Sequence, residues 1–156
     1  MIRKAKFCDI PDLVMLNSQV QDIHVKLFPE VFKTGDTHLI EEWFSDVLVS
    51  DDYCVFVALE NDVSVGYMTV RKLIKPEHPF KRETRCAYID QVCIHPDHRR
   101  MGIFKALLKG AEEEAVSWGM NRLELDVWTE NSNAVKSFEK SGFTTEVPLD
   151  SNPLIQ

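Results

Sequence analysis

Apolar residues change their spacing several times along this chain, and each change marks an element. Residues 2–7 (IRKAKF) have the look of a short strand. Asp9 then precedes Ile10-Pro11-Asp12, a helix-capping residue with proline in the first turn, and Leu13, Leu16, Val20, Ile23 and Leu27 follow at three- and four-residue steps. That spacing predicts a helix ending at Phe28-Pro29. Thr37 to Val49 repeats the pattern more briefly. YCVFVALEN is apolar on both faces and rich in β-branched and aromatic residues, as a central strand is. After Asn61-Asp62, VSVGYMTVRKLI reads as its hairpin partner.

KPEHPFKRET, with two prolines and mixed charge, predicts an exposed loop before the strand AYIDQVCIHP. Phe104, Leu107, Leu108, Ala111, Ala115 and Trp118 then form one helical stripe that stops at Gly119. In RLELDVW, Leu123, Leu125 and Val127 alternate with Glu124, Asp126 and Trp128, a strand with one face in the core. Residues 131–140 predict a last helix with Gly142 as its C-cap, GFTTEVPL a returning strand, and SNPLIQ a loosely held tail. No repeat, linker or low-complexity segment interrupts residues 1–156, so a single α/β (α+β) domain is expected, with a crossover after the fourth strand.

Composition narrows the chemistry. The formal net charge of -7 is spread along the chain, which argues against a general nucleic-acid or anionic-membrane surface. An anionic ligand then requires a local basic site. Cys8, Cys54, Cys86 and Cys93 show no CxxC and lie mostly in apolar runs, so reduced thiols are expected rather than disulfides or a metal site. No apolar run approaches the ~18 residues of a membrane span, and no apolar segment follows the basic start, which together point to a cytoplasmic protein.

The basic site is found where strand passes to helix, at His98-Arg99-Arg100-Met101-Gly102-Ile103-Phe104. A helix N-terminus offers unpaired N–H groups and partial positive charge to an anion, and Gly102 lets a ligand approach without a Cβ. A tight turn with solvated charges has the same sequence.

Two ordered motifs weigh on that choice. Arg99, Gly102 and Phe104 fall on the pattern Arg/Gln-x-x-Gly-x-Gly/Ala, and Asn133-Ala134 through Phe138-Glu139-Lys140-Ser141-Gly142-Phe143 on Asn-Ala-x-x-x-Tyr-Glu-Lys-x-Gly-Phe. Together with the element order they resemble the GCN5-related N-acetyltransferase (GNAT) superfamily. The resemblance implies a central mixed twisted sheet of about six to seven strands flanked by about four helices. It implies acetyl-CoA as co-substrate, no metal, and a primary amine of a small molecule or peptide as acceptor. Residues Arg99, Arg100, Met101, Gly102, Ile103 and Phe104 would then hold the pyrophosphate. The strand Val92-Cys93-Ile94 would receive the pantetheine arm, and Asn133 and Phe138 would contact the coenzyme. Phe104, where the family has a second small residue, is expected to pack into the core. Helix capping explains Asn133 equally well.

Attack on a thioester needs a neutral amine, so a group must accept a proton. Asp90 stands where many family members carry a carboxylate, and strand alternation places it with Tyr88, Val92 and Ile94 in an apolar setting. A bond to a neighbouring backbone group or to an arginine is the plainer role for it. Asp126 and Glu130 are further candidates for base or for binding a cationic acceptor. Phe28 and Trp128 could line the acceptor cleft or belong to the core. Phe138 replaces the tyrosine that commonly protonates the departing thiolate, which leaves open a catalytically weak acyl-CoA sensor or interaction module of the same fold. Family precedent and a short final strand are compatible with a homodimer.

Overall fold

The computed structural model describes residues 1–127 and 132–144. The chain divides into two compact units, Met1–Asp126 and Val127–Gln156. The first contains β1 (Ile2–Lys4), α1 (Ile10–Leu27), α2 (Thr37–Val49), β2 (Tyr53–Glu60), β3 (Val63–Lys75), β4 (Thr84–Ile94), α3 (Ile103–Ser117) and β5 (Leu123–Leu125); the second contains α4 (Ser132–Lys140). Among the described residues the sheet has five strands rather than six or seven. The strand expected in GFTTEVPL lies mostly outside the described residues.

Strand order is β1-β2-β3-β4-β5. The first four pair antiparallel, and β5 pairs parallel to β4 after the α3 crossover. Asn61 and Asp62 both take left-handed backbone angles, which makes the tight β2–β3 turn read from the sequence. Alternation along β2 divides the faces. Val55 and Val57 join Leu13, Leu16, Phe44 and Tyr67 in the α1/α2 core. Phe56 turns the other way, against Gly110 of α3.

The apolar stripe of α1 is buried only through its first half. Leu13 and Leu16 are fully buried, whereas Ile23 and Leu27 are exposed. Asp9 stands at the N-cap of α1, as its position suggested, but its side chain makes no cap hydrogen bond. Its carboxylate instead accepts from Arg3 Nη1 at 2.7 Å, Arg3 Nη2 at 2.9 Å and the Lys6 amide at 2.7 Å, tying β1 to the helix start. Cys54, Cys86 and Cys93 are buried thiols and Cys8 is an exposed one; all are free. No helix among the described residues is long and apolar enough to cross a membrane.

Candidate active site

The β4–α3 junction has the geometry of an anion seat. Pro96–His98 forms a 3-10 turn, Arg100 takes φ 64°, and Gly102, the N-cap of α3, takes φ 77°. Left-handed angles suit glycine. Having no side chain, Gly102 makes no side-chain cap bond to the first-turn amides of α3. A Cβ on Gly102 would meet nothing within 4 Å, so the space beside the seat is clear. Arg99, Arg100 and Met101 are exposed and Phe104 is half-buried at the head of its stripe. Arg99 Nε donates to the Ile94 carbonyl at 3.4 Å, which brings its charge to the end of β4. Gly66 lets α3 start so near the sheet: a Cβ there would lie 3.0 Å from the Cys93 carbonyl and 3.5 Å from Ile103.

Beside this turn, β4 has an open edge among the described residues. Its pairing with β3 continues to Gly66↔Ile94, but its pairing with β5 stops at Ile89↔Leu125. The His95 amide donates to Val65 of β3 at 2.8 Å, so alternation turns the amides of Val92 and Ile94 away from β3, toward that open edge. Cys93 faces elsewhere. Its backbone turns to β3 and its thiol donates to the Leu16 carbonyl of α1 at 2.9 Å. Burial pushes that thiol up to about 11.

A bulge corrects the expected grouping of Asp90 with Val92 and Ile94. Ile89 pairs with Val70 and Gln91 with Thr69, so Asp90 is an extra residue in the ladder. Alternation reverses there. Val92 and Ile94 pass to the α3 face, where Ile94 lies against Gly66, while Gln91 points to the α1 face and accepts from Asn17 at 3.2 Å and from the Tyr67 hydroxyl at 2.9 Å. Nor is the setting of Asp90 apolar. Arg71 Nε donates to its Oδ1 at 3.0 Å.

Asp90 borders a polar row that crosses four strands: Tyr53 pairs with Arg71, Arg71 with Tyr88, and Tyr88 with Glu124. The Arg71 guanidinium lies 4.8 Å from the centre of the Tyr88 ring. Tyr88 Oη donates to Asp126 Oδ2 at 2.6 Å, and Cys86 Sγ donates to Glu124 Oε2, also at 2.6 Å. Burial first, and then the hydrogen bond to Asp126, raise the Tyr88 phenol well above its usual range. Burial and the nearby Asp90 charge raise Tyr53 as well. Both phenols are therefore neutral donors at physiological pH.

The structure thus brings Asp90, Asp126, Val92, Ile94 and the 99–104 turn into one unit. Phe28 ends α1 half-buried, and its neighbour Phe32 stacks on His24 at 4.8 Å. Trp128 and Glu130 lie outside the described residues. Asn133 is exposed in the first turn of α4, and Phe138 packs edge-on against Phe143 at 6.1 Å, both within the second unit. Sequence reading missed Arg71. An arginine amid the apolar positions of β3 was the available signal.

The family model described as the acetyltransferase (GNAT) family matches residues 17–143. The chain belongs to the GNAT family. A chloroplastic GCN5-related N-acetyltransferase 4 of Arabidopsis thaliana is 33% identical over 76 residues, 48% of this chain and 26% of that protein. An uncharacterized N-acetyltransferase of Bacillus subtilis, YycN, is 31% identical over 84 residues, 54% of this chain and 49% of its own. The matches therefore span about a quarter and about half of these relatives. A tetramutant of the BH1408 protein of Bacillus halodurans superposes with a TM-score of 0.86 at 22% identity, covering 96% of this chain and 99% of that one. An aminoglycoside N-acetyltransferase, AAC(6')-Iy, in complex with CoA gives 0.78 at 16% identity, covering 96% and 90%. At these identities the two structures establish the GNAT fold.

Proposed function

We propose that this GNAT chain transfers an acetyl group from acetyl-CoA to a primary amine by direct attack in a ternary complex. The observation that carries the reading is the uncapped, left-handed Gly102 start of α3 beside the open β4 edge. Its fit to a pyrophosphate followed by an extended amide-bearing arm is chemical: helix-start amides suit the anion, and a strand edge suits the arm. The CoA complex of a protein with the same fold supports the choice of ligand.

Bound acetyl-CoA would supply an electrophilic thioester carbon. In this reading the amides of Ile103 and Phe104, with Arg99 or Arg100, hold the pyrophosphate. The outward amides of Val92 and Ile94 align the arm, and one of them faces the carbonyl oxygen as it gains charge. Asp90 accepts a proton from the amine, directly or through water, because an ammonium with a pKa near ~10.4 is no nucleophile. The sheet row from Tyr53 to Glu124 forms the floor on the acceptor side.

A second reading is a weak or inactive acyl-CoA sensor, favoured by Phe138 in place of the tyrosine acid. A thiol-release assay with acetyl-CoA and a panel of amines separates the two. Turnover above background supports the transferase; coenzyme binding without turnover on any amine supports the sensor. Phe138→Tyr raises the rate if thiolate departure limits it.

A further inference from the structure

Arg71 occupies the middle of the acceptor floor in an unusual way for a charge-neutralising residue. Only its Nε is used, on Asp90 Oδ1 at 3.0 Å. The guanidinium plane is held over Tyr88 at 4.8 Å and its side chain is 32% exposed. Its Nη1 and Nη2 groups make no hydrogen bond to any described residue. Two forked donors on a fixed plane match a carboxylate. Along the row stand three carboxylates, Asp90 on Arg71, Asp126 on the Tyr88 hydroxyl and Glu124 on the Cys86 thiol, against two guanidinium groups, Arg71 and Arg122, the latter 3.5 Å from Glu124. That surplus of negative charge favours an ammonium and disfavours a phosphate dianion, which one arginine would not balance.

We propose that the acceptor is an amino-acid-like zwitterion, its carboxylate held by Arg71 and its ammonium directed to the Asp90 and Asp126 side of the row; this rests on the acetyl-transfer reading above. The N–C bond forms as the thioester C–S bond breaks. Of the two protons the nitrogen gives up, one passes to Asp90 and then to solvent, and the other leaves with the thiol.

The test uses the intact protein. Acetyl-CoA binding is first measured by calorimetry, and thiol release is then followed with the standard L-amino acids, their primary amides and the matching decarboxylated amines. At least one amino acid is expected to exceed its own amide in kcat/KM by about 10- to 100-fold, the range of a charge-assisted hydrogen bond. Arg71→Gln should bring that acid-to-amide ratio near one, and Arg71→Lys should restore part of it. A merely structural Arg71, acting through Asp90, would slow acid and amide alike and leave the ratio unmoved. The proposal is overturned if amides or simple amines serve as well as the acids, if the ratio survives in Arg71→Gln, or if acetyl-CoA binds and no amino acid is acetylated. Absent acetyl-CoA binding removes the transferase reading itself.

Discussion

Arg71 reaches Asp90 across the one irregularity in the β3–β4 ladder: Nε and Oδ1 are 3.0 Å apart where the register slips between Thr69 and Val70. The bulge puts the carboxylate on the α1/α2 face while turning the strand beyond it, so Asp90 and the outward amides come from one short segment. If Asp90 takes the amine's proton, Asp90→Asn lowers the transfer rate by about 100-fold or more near pH 6.5 and by less near pH 9, where more amine is already neutral. A pH–rate profile with the same shape in both proteins would remove Asp90 from that role.

Gly102 separates strain from charge. At φ 77° any side chain is strained, at a cost on the order of 1–3 kcal/mol, yet a Cβ there meets no neighbour. Both Gly102→Gln and Gly102→Glu should fold with slightly lowered melting temperatures. Coenzyme affinity should fall much further for the glutamate, whose charge opposes an anion at the helix start. Equal affinities in the two proteins would mean that phosphate does not sit there.

Gly66 sets how closely α3 meets the sheet. The contact a Cβ would make is with backbone, the Cys93 carbonyl at 3.0 Å, which cannot swing aside. Gly66→Ala should therefore cost about 1–3 kcal/mol in denaturant unfolding and weaken coenzyme binding by displacing Ile103. Unchanged stability would show that the strands separate freely at this point.

Asp9 gives a pH signature. The Arg3 hydrogen bonds lower its pKa below the usual carboxylate range against the opposing effect of burial. A depressed carboxylate stabilises the fold above its unfolded pKa, and that contribution disappears as pH falls through the folded value. The melting-temperature gap between wild type and Asp9→Asn should be constant from about pH 7 to pH 5 and shrink below about pH 4. A gap that persists in acid would assign the effect to packing.

Periodicity carried the elements of the first unit well, because apolar spacing and turn residues act locally. The bounds of α2 and the Asn61-Asp62 hairpin were legible for that reason. Asp9 misled because its carboxylate is used by Arg3, a partner that helix-cap rules do not consider. The grouping of Asp90 with Val92 failed because an inserted residue reverses alternation, and nothing in AYIDQVCI marks which residue is extra. The turn into α3 was legible from Gly102, whose left-handed angle the structure shows. The polar row was not, since Tyr53, Arg71, Tyr88 and Glu124 become neighbours only when four strands are in register.

If the start of α3 seats the coenzyme, calorimetric titration of the purified protein with acetyl-CoA detects it without knowledge of the acceptor. The expected result is saturable one-site binding with a Kd at or below about 100 μM, lost in Gly102→Glu. No heat of binding at millimolar acetyl-CoA would contradict it and leave residues 98–104 an ordinary turn.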